Sequence, residues 1–293
     1  MDDFSFSDSL RKDVQNKIEE CLSRVGIMFR IFSRNKSRSS LKEKLSRGVY
    51  GEGRKIQDSL GVRVVLYFND DIEIVHKILN NIFVERKKDH SIDVKNDKEF
   101  SAIRYNVVYE IPMEVLEKEY RYKKFSKVID STFELQIRSM LSEGWHEVEH
   151  DLRYKSKNDW DGYDYISRKL NGVYATLETS EWGMVKIFDD LAYAHYKNNK
   201  WESMLRQKFR IRIEKKPLND ELINYLNENK EVAKSFFRLS RSEVVYAMAL
   251  NGFSLPISLN SLVYFCNIFY IKDSYISSIV PEMYKDEFGG VLD

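Results

Sequence analysis

Apolar positions recur along this chain with two different periods. Val14, Ile18, Cys21, Leu22 and Val25 fall three or four residues apart, so residues 8–28 are predicted to form an amphipathic helix, with Ser7 or Asp8 as its cap. Residues 61–68, Gly-Val-Arg-Val-Val-Leu-Tyr-Phe, are β-branched and apolar, the signature of a buried strand. Helical period returns over 72–83, and 87–98 is polar and reads as a loop. Alternation at Ile103, Tyr105, Val107 and Tyr109 predicts a strand over 100–111, which Pro112 ends. A third strand is predicted over 131–138 and a helix over 139–154. Residues 165–198 are helical in period through Ile166, Leu170, Val173, Leu177, Met184, Ile187 and Leu191. The remainder reads as mostly helical, with a turn over 251–256.

The order α, β, α, β, β, α predicts an α/β (α+β) fold, a mixed β-sheet flanked by helices, followed by a mostly helical C-terminal extension. We place the domain boundary so that 1–204 forms one unit and 205–293 a second. The 293 residues, 43% of them apolar, suffice for one large domain or two modest ones. Seventeen Phe and eighteen Tyr argue against disorder. Two distant cysteines, Cys21 and Cys266, exclude a disulfide scaffold and a multi-cysteine zinc module. The N-terminus lacks the basic and apolar regions of a signal peptide, and the longest apolar run is too short to span a bilayer. The expectation is a reduced, cytoplasmic protein without a membrane partner.

Net charge is only +1, so bulk charge does not mark a nucleic-acid binder. Locally the picture changes. Residues 33–55 hold eight basic side chains against two acids. Arg34, Lys36, Ser40 and Lys44 fit R-x-K-x-x-x-S-x-x-x-K. If a helix begins near Ser40, Ser40 can cap it, and cations at this spacing suit a polyphosphate; a solvated basic face is the plainer alternative. Asp58 lies five residues before Arg63 at the mouth of the apolar strand. Glu134, Gln136 and Arg138 share one face of another strand. Two carboxylates on neighbouring strands can hold one Mg2+, and a solvated strand face is the competing reading. His146-Glu-Val-Glu-His150 matches the H-E-x-x-H zinc-protease pattern, but no convincing third ligand follows it. Neither a phosphate-loop nor a G-x-S-x-G motif is present.

Four segments in this order resemble the RelA/SpoT family of alarmone synthetases. They are 34–44, 55–65, 133–138 and 145–155, spread over about residues 20–155. The resemblance absorbs the H-E-x-x-H run into a family motif. It implies a nucleotidyltransferase-like synthetase domain that transfers pyrophosphate from ATP to the 3′-hydroxyl of a purine nucleotide such as GDP or GTP, releasing AMP. It further implies Mg2+ held by Asp58 and Glu134, with Glu134 alternatively the base on the 3′-hydroxyl. Arg34 and Arg63 are implied as the pair around adenine, and Lys36, Ser40 and Lys44 as phosphate binders. Gln136 and Arg138 are implied as acceptor-side supports.

The acceptor segment departs from the family. Where members carry G-Y-x-S-x-H, this chain has Glu99, Phe100, Ala102 and Arg104. Phe100 keeps a ring without its hydroxyl, and Arg104 places a fixed charge where an imidazole is the rule. The acceptor therefore stays open among GDP, GTP, an adenine nucleotide and tRNA. One branch of the family comprises toxins, some acting in phage defence and some modifying the tRNA 3′ CCA end. On that alternative, Lys118, Arg121, Lys123, Lys124 and Lys127 are candidate RNA contacts. A catalytically silent RNA- or partner-binding module is the third reading. Residues 205–293 are expected to serve regulation, through a homo-oligomer or a regulatory protein partner.

Overall fold

The computed structural model describes residues 5–46, 50, 54–93, 105–120 and 122–288. Helix α1, Asp8–Arg24, buries Leu10, Val14, Ile18 and Leu22 along one stripe. Ser7 caps it, its Oγ accepting from the Leu10 amide at 3.2 Å. The helix stops short of residue 28 because Gly26 adopts φ +72°, and a Cβ there would meet the Arg212 carbonyl oxygen at 2.9 Å.

Among the described residues five strands form one mixed sheet: β1 Phe29–Asn35, β2 Leu60–Leu66, β3 Ser91–Ile92, β4 Tyr105–Glu110 and β5 Thr132–Ser139. Their order is β1-β2-β5-β4-β3. Only the central β2–β5 pair is parallel, and the other neighbours are antiparallel. Alternation sets the two faces of β2. Val62, Val64 and Leu66 point into the core, while Gly61 and Arg63 face the other side. Phe133, Leu135 and Ile137 do the same on β5, opposite Glu134, Gln136 and Arg138.

Helix α2 is Arg38–Ser46 and α3 is Ile72–Leu79. The latter buries Ile74, Val75, Ile78 and Leu79. Short helices α4, Met113–Leu116, and α5, Tyr122–Phe125, precede β5. Helix α6, Met140–Glu149, runs on from β5 and gives way to a π-helical turn over His150–Tyr154. Ser139 caps α6 by accepting from the Ser142 amide at 3.1 Å, and its hydroxyl also bonds the buried Glu181.

The chain divides into two compact units, Met1–Glu20 with Phe29–Glu181, and Cys21–Met28 with Trp182–Asp293. The division falls inside the 34-residue helix α7, Asp164–Lys197, whereas residue 205 lies within helix α8, Trp201–Phe209. The second unit continues through helices α9 to α14, at Asp220–Glu228, Lys230–Arg238, Arg241–Leu250, Leu259–Cys266, Ser274–Ser278 and Glu282–Phe288. Its core includes Trp201, Phe209, Leu222, Phe236, Val244, Met248 and Phe265. The fold is the mixed sheet flanked by helices, with a mostly helical C-terminal part. No helix among the described residues is long and apolar enough to cross a membrane.

Candidate active site

The polar face of the sheet carries the site. Register places Arg34 opposite Gly61, Phe32 opposite Arg63, and Gly61 and Arg63 beside Glu134 and Gln136. Three strands therefore project Phe32, Arg34, Arg63, Glu134 and Gln136 to one side. There they line an open cavity of about 390 Å3, with Lys36 and Asp58 at one end and Glu143 and Glu147 at the other.

Backbone bonds fix Asp58 ahead of β2. The Ile56 amide donates to the Val128 carbonyl at 2.8 Å, and the Thr132 hydroxyl donates to the Gln57 carbonyl at 3.0 Å. The Lys36 amide bonds the Ser59 carbonyl at 2.8 Å, which draws the end of β1 to the same turn. Lys36 Nζ lies 2.5 Å from Asp58 Oδ2, and Lys44 Nζ, reaching from α2, lies 2.7 Å from the same oxygen. Burial raises the Asp58 carboxyl pKa, but the two ammonium groups outweigh it and hold the group below its ordinary value. The lysines part in opposite directions. Burial lowers Lys44, yet Asp58 raises it overall; Lys36 ends below its ordinary value through burial, despite Asp58, and beside the like charge of Lys44.

At the other end Arg63 is held on several sides. Its Nε donates to Gln136 Oε1 at 3.1 Å, and Nη1 donates to both Glu143 and Glu147. These two acids sit one turn apart on α6, so the Ser139 cap sets where they meet Arg63. Arg138, only 4% exposed, donates to Glu143 at 3.1 Å and to Gln136 Oε1 at 3.3 Å. Gln136 in turn donates to Glu134 Oε1 at 2.8 Å. The polar residues of β5 thus form one chain of bonds running from Glu134 to α6.

Of the residues singled out in the sequence, Arg34, Lys36, Asp58, Arg63, Glu134 and Gln136 line the cavity, and Lys44 joins it through Asp58. Arg138 lies beneath it as a support. Ser40 does not cap α2. That role belongs to Ser37, whose Oγ accepts from the Ser40 amide at 3.3 Å, because the helix begins at Arg38. Phe100 and Arg104 lie outside the described residues.

Phe32, Glu143 and Glu147 line the cavity and went unnoticed in the sequence. Glu147 had a signal, being the glutamate of the H-E-x-x-H run. Here it serves Arg63, while the rings of His146 and His150 stack with centroids 5.9 Å apart.

A Mg2+ ion is implied by the resemblance, and the donors present suit it. Asp58 Oδ1 and Glu134 Oε2 make no hydrogen bond among the described residues, and both carboxylates line one cavity. No group of three His, Cys, Asp or Glu among the described residues could hold a metal ion. Mg2+ needs no such cage, because one or two carboxylates with phosphate oxygens and water complete its shell.

The polar face of the sheet thus carries one cavity lined by both acids and cations. Residues 33–159 match the family model described as the region found in RelA / SpoT proteins. Among curated proteins none matches the chain. Among solved structures it is similar to a GTP pyrophosphokinase family protein from Streptococcus pneumoniae, with 24% identity and a TM-score of 0.45 over 63% of this chain and 90% of that one. It is also similar to the small alarmone synthetase 1 of Bacillus subtilis bound to its product pppGpp, with 24% identity and a TM-score of 0.44 over 60% of this chain and 87% of that one.

Proposed function

We propose that this protein is an ATP-dependent pyrophosphokinase that transfers the β,γ-diphosphate of ATP to the 3′-hydroxyl of a purine nucleotide. The observation that carries the reading is one cavity holding Asp58 and Glu134 together with Lys36, Arg34 and Arg63. The RelA/SpoT region covers all of these residues.

In this reaction the acceptor 3′-oxygen forms a bond to the β-phosphorus, the bond from that phosphorus to the α,β-bridging oxygen breaks, and AMP leaves. Glu134, with Oε2 open to the cavity, takes the proton from the 3′-hydroxyl. Lys36 and Lys44 turn from Asp58 toward the polyphosphate and offset its charge, which is most of what a phosphoryl-type transfer asks of a protein. Arg34 and Arg63 border the adenine. Gln136 orients Glu134, and Arg138 keeps Gln136 and Glu143 in place. Asp58 would hold Mg2+, with Glu134 as its second ligand only where it is not the base, and the ion when bound would neutralise charge on the polyphosphate oxygens.

The test is transfer of label from β/γ-labelled ATP with GDP, GTP, ADP, ATP and bulk tRNA offered in parallel. Label on a free nucleotide, absent with Glu134→Gln, supports the reading and names the acceptor. Transfer to the tRNA 3′ CCA end is the second reading. Lys123, Lys124 and Lys127, all exposed, favour it. Label confined to tRNA, with binding that weakens steeply in salt, would establish it in place of the first. We assign residues 205–293 a regulatory or interaction role, which the same assay tests on full-length and shortened chains. No label in either form would sink both enzymatic readings and leave the silent binding module.

A further inference from the structure

Glu85 does not line the cavity, yet its side chain is only 6% exposed and holds two imidazoles. His90 Nδ1 lies 2.9 Å from Oε1, and His76 Nε2 lies 3.2 Å from Oε2. On its other side, His76 Nδ1 lies 2.8 Å from the Tyr105 hydroxyl. With the His76 proton on Nε2, the ring donates to Glu85 and accepts from Tyr105, so both contacts are satisfied. Burial raises the Glu85 carboxyl pKa, but His90 and His76 outweigh it and hold the group below its ordinary value.

These partners meet at one place in the fold. His90 immediately precedes β3, and Tyr105 opens β4. The two strands pair antiparallel, with Ile92 opposite Tyr105. One carboxylate therefore ties both strands of this hairpin, β3 through His90 and β4 through His76 and Tyr105. Apolar burial does little to hold β3, since it is two residues long with Ser91 exposed and Ile92 half-buried. Glu85 itself is fixed by its backbone. It bridges to Tyr109, the Arg86 amide donates to the Val108 carbonyl at 2.8 Å, and the Glu110 amide donates to the Val84 carbonyl at 2.9 Å.

Sheet order gives the hairpin its bearing on the site. Arg34 stands on β1, Lys36 just past its end, Arg63 on β2 and Glu134 on the central β5. Beyond Glu134 come β4 and then β3, with Val108 opposite Glu134 and Asn106 opposite Gln136. With the polyphosphate over β1 and β2, in-line attack brings the 3′-hydroxyl to Glu134 from the β4 and β3 side.

We propose that Glu85 is a positioning residue for the acceptor, setting through His90 and through His76 and Tyr105 the β3–β4 hairpin on the acceptor side of the sheet. This rests on reading the cavity as the site of pyrophosphate transfer. Glu85 touches neither substrate and acts through the two strands it ties.

The test is steady-state transfer from labelled ATP by the full chain, with whichever of GDP, GTP, ADP and bulk tRNA takes label as acceptor. Glu85→Met keeps the volume and removes both oxygens, and should raise the acceptor KM about tenfold or more, because transfer depends steeply on placement. The KM for ATP should stay within twofold, since Arg34, Lys36 and Arg63 lie on the β1 and β2 side. Tyr105→Phe loses one hydroxyl and should move the acceptor KM the same way by less, which decides the matter where Glu85→Met does not fold. Glu85→Gln can accept from one imidazole and donate to the other, so it should recover most of the loss. An acceptor KM within twofold of wild type in both Glu85→Met and Tyr105→Phe would overturn the proposal and leave the reaction intact. Equal rises for ATP and acceptor, or a lower melting temperature with both KM values unchanged, would reduce Glu85 to a structural role and overturn it too. If wild type transfers no label to any acceptor, the pyrophosphokinase reading fails and takes the proposal with it.

Discussion

Removing the Asp58 carboxylate should destabilise the protein through the two lysines it holds apart. In Asp58→Ala, Lys36 and Lys44 lose a shared acceptor at 2.5 and 2.7 Å and face one another as like charges. All three side chains are about three-quarters buried, with relative exposures of 24, 23 and 28% for Lys36, Lys44 and Asp58, so water replaces the lost bonds only in part. A hydrogen bond to a charged group contributes about 1.5–3 kcal/mol. Two such bonds share one oxygen and are opposed by burial, so the low end applies, and we expect a loss of about 2–3 kcal/mol. For a unit of this size that lowers the melting temperature by about 4–12 °C. The assay is a double-mutant cycle by chemical and thermal denaturation with Lys44→Met. Alone, Lys44→Met should be destabilising. In the Asp58→Ala background it should restore stability by relieving the Lys36–Lys44 repulsion, giving a coupling of about 1–2 kcal/mol. If Asp58→Ala lies within about 0.5 kcal/mol of wild type, or Lys44→Met acts alike in both backgrounds, the charge triad does not contribute as argued.

Further predictions follow from the same geometry. The Asp58 carboxyl is held below its ordinary value, so its contribution is complete above the ordinary carboxylate pKa and is lost as pH falls through the lowered one. Stability curves of wild type and Asp58→Asn should therefore run parallel near neutral pH and converge in acid. A gap that persists below both pKa values would contradict this. Glu143→Gln should destabilise by about 1–3 kcal/mol, because the buried Arg138 loses its carboxylate. Glu147→Gln should cost under about 1 kcal/mol, since that side chain is 53% exposed; denaturant titration of both variants checks the order. Gly26→Ala should lower the melting temperature measurably, because φ +72° and a Cβ contact of 2.9 Å to a backbone oxygen both oppose it.

β2, β4 and β5 were legible because β-branched runs and alternation speak directly of a buried or half-buried pleat, whereas β1 was not predicted and the two-residue β3 lies in the stretch read as a loop. The β-branched run over 61–68 predicted β2 as a buried strand, and only the structure shows that Val62, Val64 and Leu66 take the core face and Gly61 and Arg63 the other. The pairing of β2 with β5, which brings Arg63 beside Gln136, is a long-range choice that no local pattern encodes. Helix ends were less legible. Residues 25–28 keep apolar character after α1 has stopped, because Gly26 turns the chain and Val25 and Ile27 are buried. Ser40 was read as the cap of α2, but the helix starts at Arg38 and the cap falls on Ser37. In the site, acids and cations on strands announced themselves by standing where core residues would. Glu143 did not, since an acid at helical spacing is the rule on any solvated helix face, and Glu147 showed only as part of the H-E-x-x-H run. Phe32 was hidden for the opposite reason, as an apolar residue in a strand reads as core until its face is known.

The central claim is attack at the β-phosphorus, and the nucleotide released by ATP reports on it most directly. ATP would be incubated with the full-length chain, Mg2+ and the accepted acceptor, and the products resolved by phosphorus NMR. The account predicts AMP in one-to-one amount with an acceptor bearing a 3′-diphosphate, and neither product with Glu134→Gln. Release of ADP or of free pyrophosphate without a modified acceptor, or undiminished AMP from Glu134→Gln, would contradict it.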